Sequence, residues 1–237
     1  MDFHALAYIL LNLICCAFIL YLGFDLLKNE MQSVKRQKGL RLVLDLIILQ
    51  LFIYLVSESG FTISLEFPPK FAIVFIIPSF IFSAIFLYSN RNSNWIKKVS
   101  LKQITLFQSF RILVESLFLW SVAKGILHYN VSIEGYNFDM IFGFTALLVY
   151  LIIWVLKKEN KKLLLYWNYL GVIVLASVIF VFVSTLYLPQ IYGFDKTPMK
   201  VSFLEYPFVL VAAFMMPLAV FLHILSIIRI NKNPKIN

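Results

Sequence analysis

Residues 163–187 read LLLYWNYLGVIVLASVIFVFVSTLY, without one charged side chain. Such a run fixes its own surroundings. About 20 apolar residues cross the hydrocarbon core of a bilayer, where only an intrahelical ladder satisfies the backbone. Six further stretches on either side qualify, so the sequence predicts an all-α polytopic membrane protein with seven transmembrane helices. The predicted spans are residues 3–27, 40–57, 71–89, 104–123, 140–156, 163–187 and 207–228, forming one transmembrane domain over residues 1–237. Composition agrees, with 61% of residues hydrophobic and 14% charged, against roughly 45–50% and about 25% in soluble domains. Those values exclude a disordered chain, a collagen-like repeat, a disulfide scaffold and a sizeable soluble domain.

The net charge of +9 invites a nucleic-acid partner, but the cations follow the positive-inside rule instead. Lys28, Lys35, Arg36, Lys38 and Arg41 join spans one and two, and Arg91, Lys97, Lys98 and Lys102 join three and four. Lys157, Lys158, Lys161 and Lys162 join five and six, and Arg229, Lys232 and Lys235 follow span seven. Of the 21 lysines and arginines, only Lys70, Lys124, Lys196 and Lys200 fall on the other side, with Arg111 inside a span. The expected orientation is N-terminus outside and C-terminus cytoplasmic, which an odd number of spans requires. Asp2 stands where a secretion signal carries basic residues, so the first span is expected to remain in place. Cys15 and Cys16 are adjacent within that span and read as small apolar side chains.

Charges inside a span cost about 2.5–3.5 kcal/mol near its centre, so each one present needs a partner or a cavity. Arg111 and Glu115 are four apart on one helix face, with Gln108 on the same stripe, so the spacing predicts an internal ion pair. Their depths are about 10 and 16 Å from the inner end of span four at 1.5 Å per residue. Asp45, Asn168 and His223 each lie about 8 Å from the inner ends of spans two, six and seven by the same measure. The expected site is a pocket in the cytoplasmic half lined by Asp45, Gln108, Arg111, Glu115, Asn168 and His223. A purely structural role for the same residues is an ion pair that welds span four to its neighbours, with His223 and Asn168 as interhelical hydrogen-bond partners.

Pro78 and Pro217 each remove a backbone bond from within a span and are expected to act as hinges. The two spans look alike: each has an earlier proline near its start (Pro69, Pro207) and an arginine beyond its end (Arg91, Arg229). The match suggests a three-plus-one-plus-three parallel repeat with span four as the linker.

On the expected outer face, Asp2, His4, Glu58, Glu66, His128, Glu134, Asp139, Asp195 and Glu205 show no metal-ligand spacing, so no metal is assigned. Gly135 suits a turn there and Asp139 a helix cap, while Asn130-Val131-Ser132 reads as a glycosylation sequon. Trp95, Trp120, Trp154, Trp167, Tyr187 and Tyr206 near span ends fit interfacial anchoring.

No phosphate loop, dinucleotide fingerprint, zinc-hydrolase pair or nucleophile elbow occurs. Span seven has no lysine for a retinal Schiff base, so retinal is not expected, and no other cofactor is indicated. SWEET and PQ-loop transporters share the topology, but here Pro189-Gln190 lies at a span end. The Arg111-x-x-x-Glu115 stretch, the Glu134-Gly135-Tyr136-Asn137-Phe138-Asp139 loop, Trp167-Asn168 and residues 217–223 resemble seven-span integral membrane proteins of Bacteroidetes-type bacteria. The resemblance covers spans four to seven; it implies a bacterial inner-membrane location and brings no activity with it.

Three readings follow from the residues. The first is a membrane protein that binds or transports a small solute at the buried polar site. A second is a sensor, scaffold or subunit of a larger complex, whose partner is another membrane protein. The third is an intramembrane enzyme acting on a lipid or isoprenoid, with Glu115 or His223 as acid or base.

Overall fold

The computed structural model describes residues 2–232. It is all-helical, with no strand among the described residues. The helices are α1 (Phe3–Leu26), α2 (Gln32–Glu58), α3 (Ile77–Asn90), the short α4 (Asn94–Lys98) and α5 (Leu101–Phe107), α6 (Phe110–Ala123), α7 (Asp139–Tyr150), α8 (Lys161–Tyr187) and α9 (Met216–Lys232). With their flanking turns, six helical segments are long and apolar enough to cross a bilayer, as in a polytopic membrane protein. The segment from α7 through the wide π turn Leu151–Val155 is apolar but shorter.

Both internal prolines sit where the helix changes pitch. Pro78 follows the π segment Ala72–Ile76, and Pro217 follows the π segment Val211–Met215. Proline lacks the N–H for the residue four back and its ring crowds that carbonyl, so the turn before it widens. Span four is also interrupted: α5 and α6 are separated at Gln108 and Ser109, where the bonds tighten to Arg111 N–H···Gln108 O (3.4 Å) and Ile112 N–H···Ser109 O (3.0 Å).

The two ends of the bundle differ. At one end the start of α1 meets the end of α6, where Asp2 pairs with Lys124. At the other, Arg229 Nε donates to Val99 O (3.3 Å), and Lys28, Lys97 and Lys98 cluster nearby. We refer to these as the loop-rich end and the basic end.

The main apolar core joins α1 (Tyr8, Leu11, Cys15), α6 (Phe110, Val114, Phe118) and α9 (Leu218, Leu222). A second cluster packs α7 (Phe142, Ala146, Val149) on α8 (Leu164, Trp167). By contrast α2 packs chiefly on α1 and presents Leu44, Ile47, Ile48 and Leu51 outward. This inverts the soluble pattern: apolar side chains cover the outside, and polar ones collect in the middle.

Candidate functional site

Arg111 organises the polar centre from the second residue of α6, where it is 1% exposed. The rise of a helix places it about 15 Å from the start of α5 and about 18 Å from the end of α6. Its ion-pair partner is Asp139, not Glu115. Arg111 Nε donates to Asp139 Oδ1 at 2.8 Å, and Nη2 reaches the same oxygen. The guanidinium also lies over the Phe142 ring, 4.5 Å from its centroid.

Asp139 is the first residue of α7, and it meets a side chain at the start of α6, midway along span four, because the connection between them folds inward. After Ala123 the chain passes through a 3-10 turn at Tyr129–Val131 that packs on α6 and α8. Asn130, Ser132 and Asn137 are all buried. Asn137 binds this segment to itself and to α6: Nδ2 donates to Val131 O (3.0 Å) and to Glu115 Oε1, and Oδ1 accepts from Asp139 N–H (3.0 Å). Non-helical backbone is tolerated at membrane depth where protein surrounds it. Gly135 is required at the tightest point, since a Cβ there would come within 2.6 Å of Tyr129 O.

On its other side Arg111 faces α9 and α8. Arg111 Nη1 lies 3.2 Å from His223 Nε2, and His223 Nδ1 lies 2.9 Å from Asn168 Oδ1. Asn168 Nδ2 in turn donates to Leu164 O at 2.7 Å. An Asn oxygen only accepts and a guanidinium only donates, so the chain has one direction: Arg111 to His223 Nε2, His223 Nδ1–H to Asn168, Asn168 to the backbone. The imidazole is held edge-on by Trp167 (5.3 Å) and Phe142 (5.7 Å), which stack on each other. Gly171 leaves the space it fills; any Cβ at that position would overlap the ring. Trp167 is therefore part of the site wall, with Nε1 donating to Thr145 Oγ1 (2.9 Å), rather than an interfacial anchor.

Of the residues singled out by sequence, Arg111, Asn168 and His223 form one hydrogen-bonded chain. Glu115 joins it through Asn137 and Asp139. Gln108 is buried and donates to Ala219 O (3.1 Å), two residues past Pro217. Asp45 stands apart: its side chain is 66% exposed and lies 3.8 Å from Arg41, one turn away on the same helix. Asp139 uses its carboxylate on Arg111 and makes no cap bond to its own helix, and the Asn130 sequon is buried. Asn137 and Asp139 belong to this network although the sequence reads Asp139 as a helix cap and places neither in the site. The only available signal was the density of polar residues in a short connection.

Beside this network, toward the loop-rich end, lies a cavity of about 90 Å³. Most of its lining is apolar, from Phe118 and Val114 on α6 to Leu175 and Val178 on α8. The polar groups on it are Arg111, Glu115 and Asp139 at one side and Tyr8 and Ser121 at another. Tyr8 Oη and Ser121 Oγ are 2.7 Å apart, and Ser121 Oγ is 3.0 Å from His4 Nε2. Glu115 Oε2 is buried without a hydrogen-bond partner. His223 is not on the cavity lining, which removes it from the acid–base pair expected of an enzyme. The cavity also lies away from the half next to the basic loops, because the infolded segment 124–138 brings Asn137 and, just after it, Asp139 in from the opposite end. Comparison of the chain with protein-family models, with curated proteins and with solved structures returns no match.

Proposed function

We propose that the protein is a seven-span membrane protein, N-terminus outside, that binds a small solute bearing a positive charge or a hydrogen-bond donor in the cavity beside Glu115. One observation carries this reading: Glu115 lines the cavity, and its Oε2 is buried without a partner among the described residues. Arg111 is already matched by Asp139, so a carboxylate at position 115 is the uncompensated charge of the site. A buried carboxylate of this kind is complete only with a proton, a cation or a donor group.

Size narrows the solute further. A cavity of about 90 Å³ is smaller than the 150 Å³ that admits benzene and well below the roughly 300–1,000 Å³ of drug-sized sites. A short apolar body with one donor end fits; a sugar, a nucleotide or an isoprenoid chain does not. The wide turns before Pro78 and Pro217 support movement around the cavity, since Met215 and Met216 beside the second of them line it. Orientation rests on the basic end facing the cytoplasm. Labelling of a cysteine introduced at Lys97 only from the outside would reverse it.

The binding test is a thermal-unfolding panel of short-chain amines and alcohols on purified protein. Small amines should stabilise the wild type, with the effect lost in Glu115→Gln and kept in Asp45→Asn. Indifference of the wild type to the whole panel, or equal stabilisation of Glu115→Gln, would sink the proposal. Flux of the stabilising amine into proteoliposomes then separates transport from binding.

A further inference from the structure

We infer that the recess at the basic end is a binding site for a phosphate-bearing anion, the chemistry shared by an anionic phospholipid headgroup and free phosphate. It is distinct from the Glu115 cavity and opens at the opposite end of the bundle. The end of α1, the short α4, the start of α5 and the end of α9 border an open recess of about 400 Å³, within the range of ligand sites.

Its charged lining is Lys28, Lys97, Lys98 and Arg229 against a single acid, Asp25. Asp25 is already engaged by Lys28 at 2.9 Å. Three cations therefore face the recess without a carboxylate among the described residues. Surface lysines alone would be solvated and unremarked, but Arg229 is 2% exposed. Its Nε donates to Val99 O (3.3 Å), while Nη1 is buried with no partner among the described residues. A guanidinium left with an open donor in a low-dielectric setting calls for an acceptor.

The shape of the donor set selects the acceptor. Arg229 offers a planar fork from a fixed position, and Lys97 and Lys98 offer point charges on flexible stems. That combination suits a tetrahedral oxyanion, which can accept from several directions at once. Ser100 also lines the recess, adding a hydroxyl donor. Asp25 makes the site less favourable for a second acidic group on the same ligand, so one phosphate is the expected load. In the orientation proposed above the recess faces the leaflet where anionic headgroups gather, but the inference does not depend on it.

The experiment measures the unfolding temperature of the detergent-solubilised protein at matched ionic strength with inorganic phosphate, with short-chain phosphatidylglycerol and with phosphatidylcholine of the same chain length. Chloride serves as the salt control. Stabilisation by phosphatidylglycerol to which phosphate adds less than it does alone identifies a headgroup site; stabilisation by phosphate and none by phosphatidylglycerol identifies free phosphate. Either supports the inference if the exposed-lysine variant Lys97→Ala/Lys98→Ala, which leaves the packing intact, loses at least tenfold in apparent affinity. Arg229→Gln should lose more if it folds. No stabilisation by phosphate or phosphatidylglycerol beyond the chloride and phosphatidylcholine controls, or equal stabilisation of the lysine variant, overturns the inference. The amine response at Glu115 is unaffected in either event.

Discussion

Asp139 and Asp45 are the same residue type at opposite fates. Asp45 falls one turn from Arg41 on an outward face, with its side chain 66% exposed; Asp139 is 5% exposed against Arg111. Sequence spacing gives depth along a helix but not its rotation, so Asp45 reads as equivalent to Asn168 and His223 when it is not. The buried members were legible because a charge or amide in an apolar run needs a partner. Asp139 was hidden because a polar loop reads as solvated. Removing one member of a buried ion pair strands the other, at a cost of about 3–5 kcal/mol. Asp139→Asn should therefore lower the unfolding temperature sharply in a thermal melt, whereas Asp45→Asn should change stability by no more than about 0.5 kcal/mol. Equal melting of the two variants would mean that the Arg111 pair contributes little.

Among the elements, the connection between α6 and α7 departs furthest from expectation. The apolar spans themselves were readable because lipid demands long uninterrupted helices. The infolding of 124–138 was not, because nothing local distinguishes a loop covered by its own protein from one in water. It also shortens α7, which starts beside Arg111 at the beginning of α6. His128 begins the infolded turn: Nδ1 accepts from Asn130 N–H (3.4 Å), and the ring packs on Tyr129 (4.3 Å) and Phe194 (5.0 Å). Burial pushes the His128 imidazole below the usual histidine range. A lowered folded value means that the neutral ring's contribution is fully present above the unfolded histidine pKa of about 6.5 and is lost as pH falls through the folded value. Protection factors for amide hydrogen exchange across residues 127–139, corrected for the intrinsic base-catalysed rate, should fall on acidification from pH 7.5 to 5, and His128→Phe should remove that dependence. Unchanged protection over this interval would count against His128 as the turn's anchor.

For the whole molecule, the hydropathy and the placement of prolines anticipated the helical plan, since both act through the backbone. How the helices pack did not follow: α8 lies along α9 while α2 rests chiefly on α1, so the likeness between residues 71–89 and 207–228 does not extend to their neighbours. The central chain from Arg111 through His223 and Asn168 ends on the Leu164 carbonyl. A relay for protons needs every member able both to release and to receive, and a peptide oxygen has nothing to release. The chain through Arg111, His223 and Asn168 is thus a closed circuit that carries no proton past Leu164. Vesicles carrying the protein should hold an imposed pH gradient as long as empty ones do; a leak abolished by His223→Phe would show that the circuit is open after all.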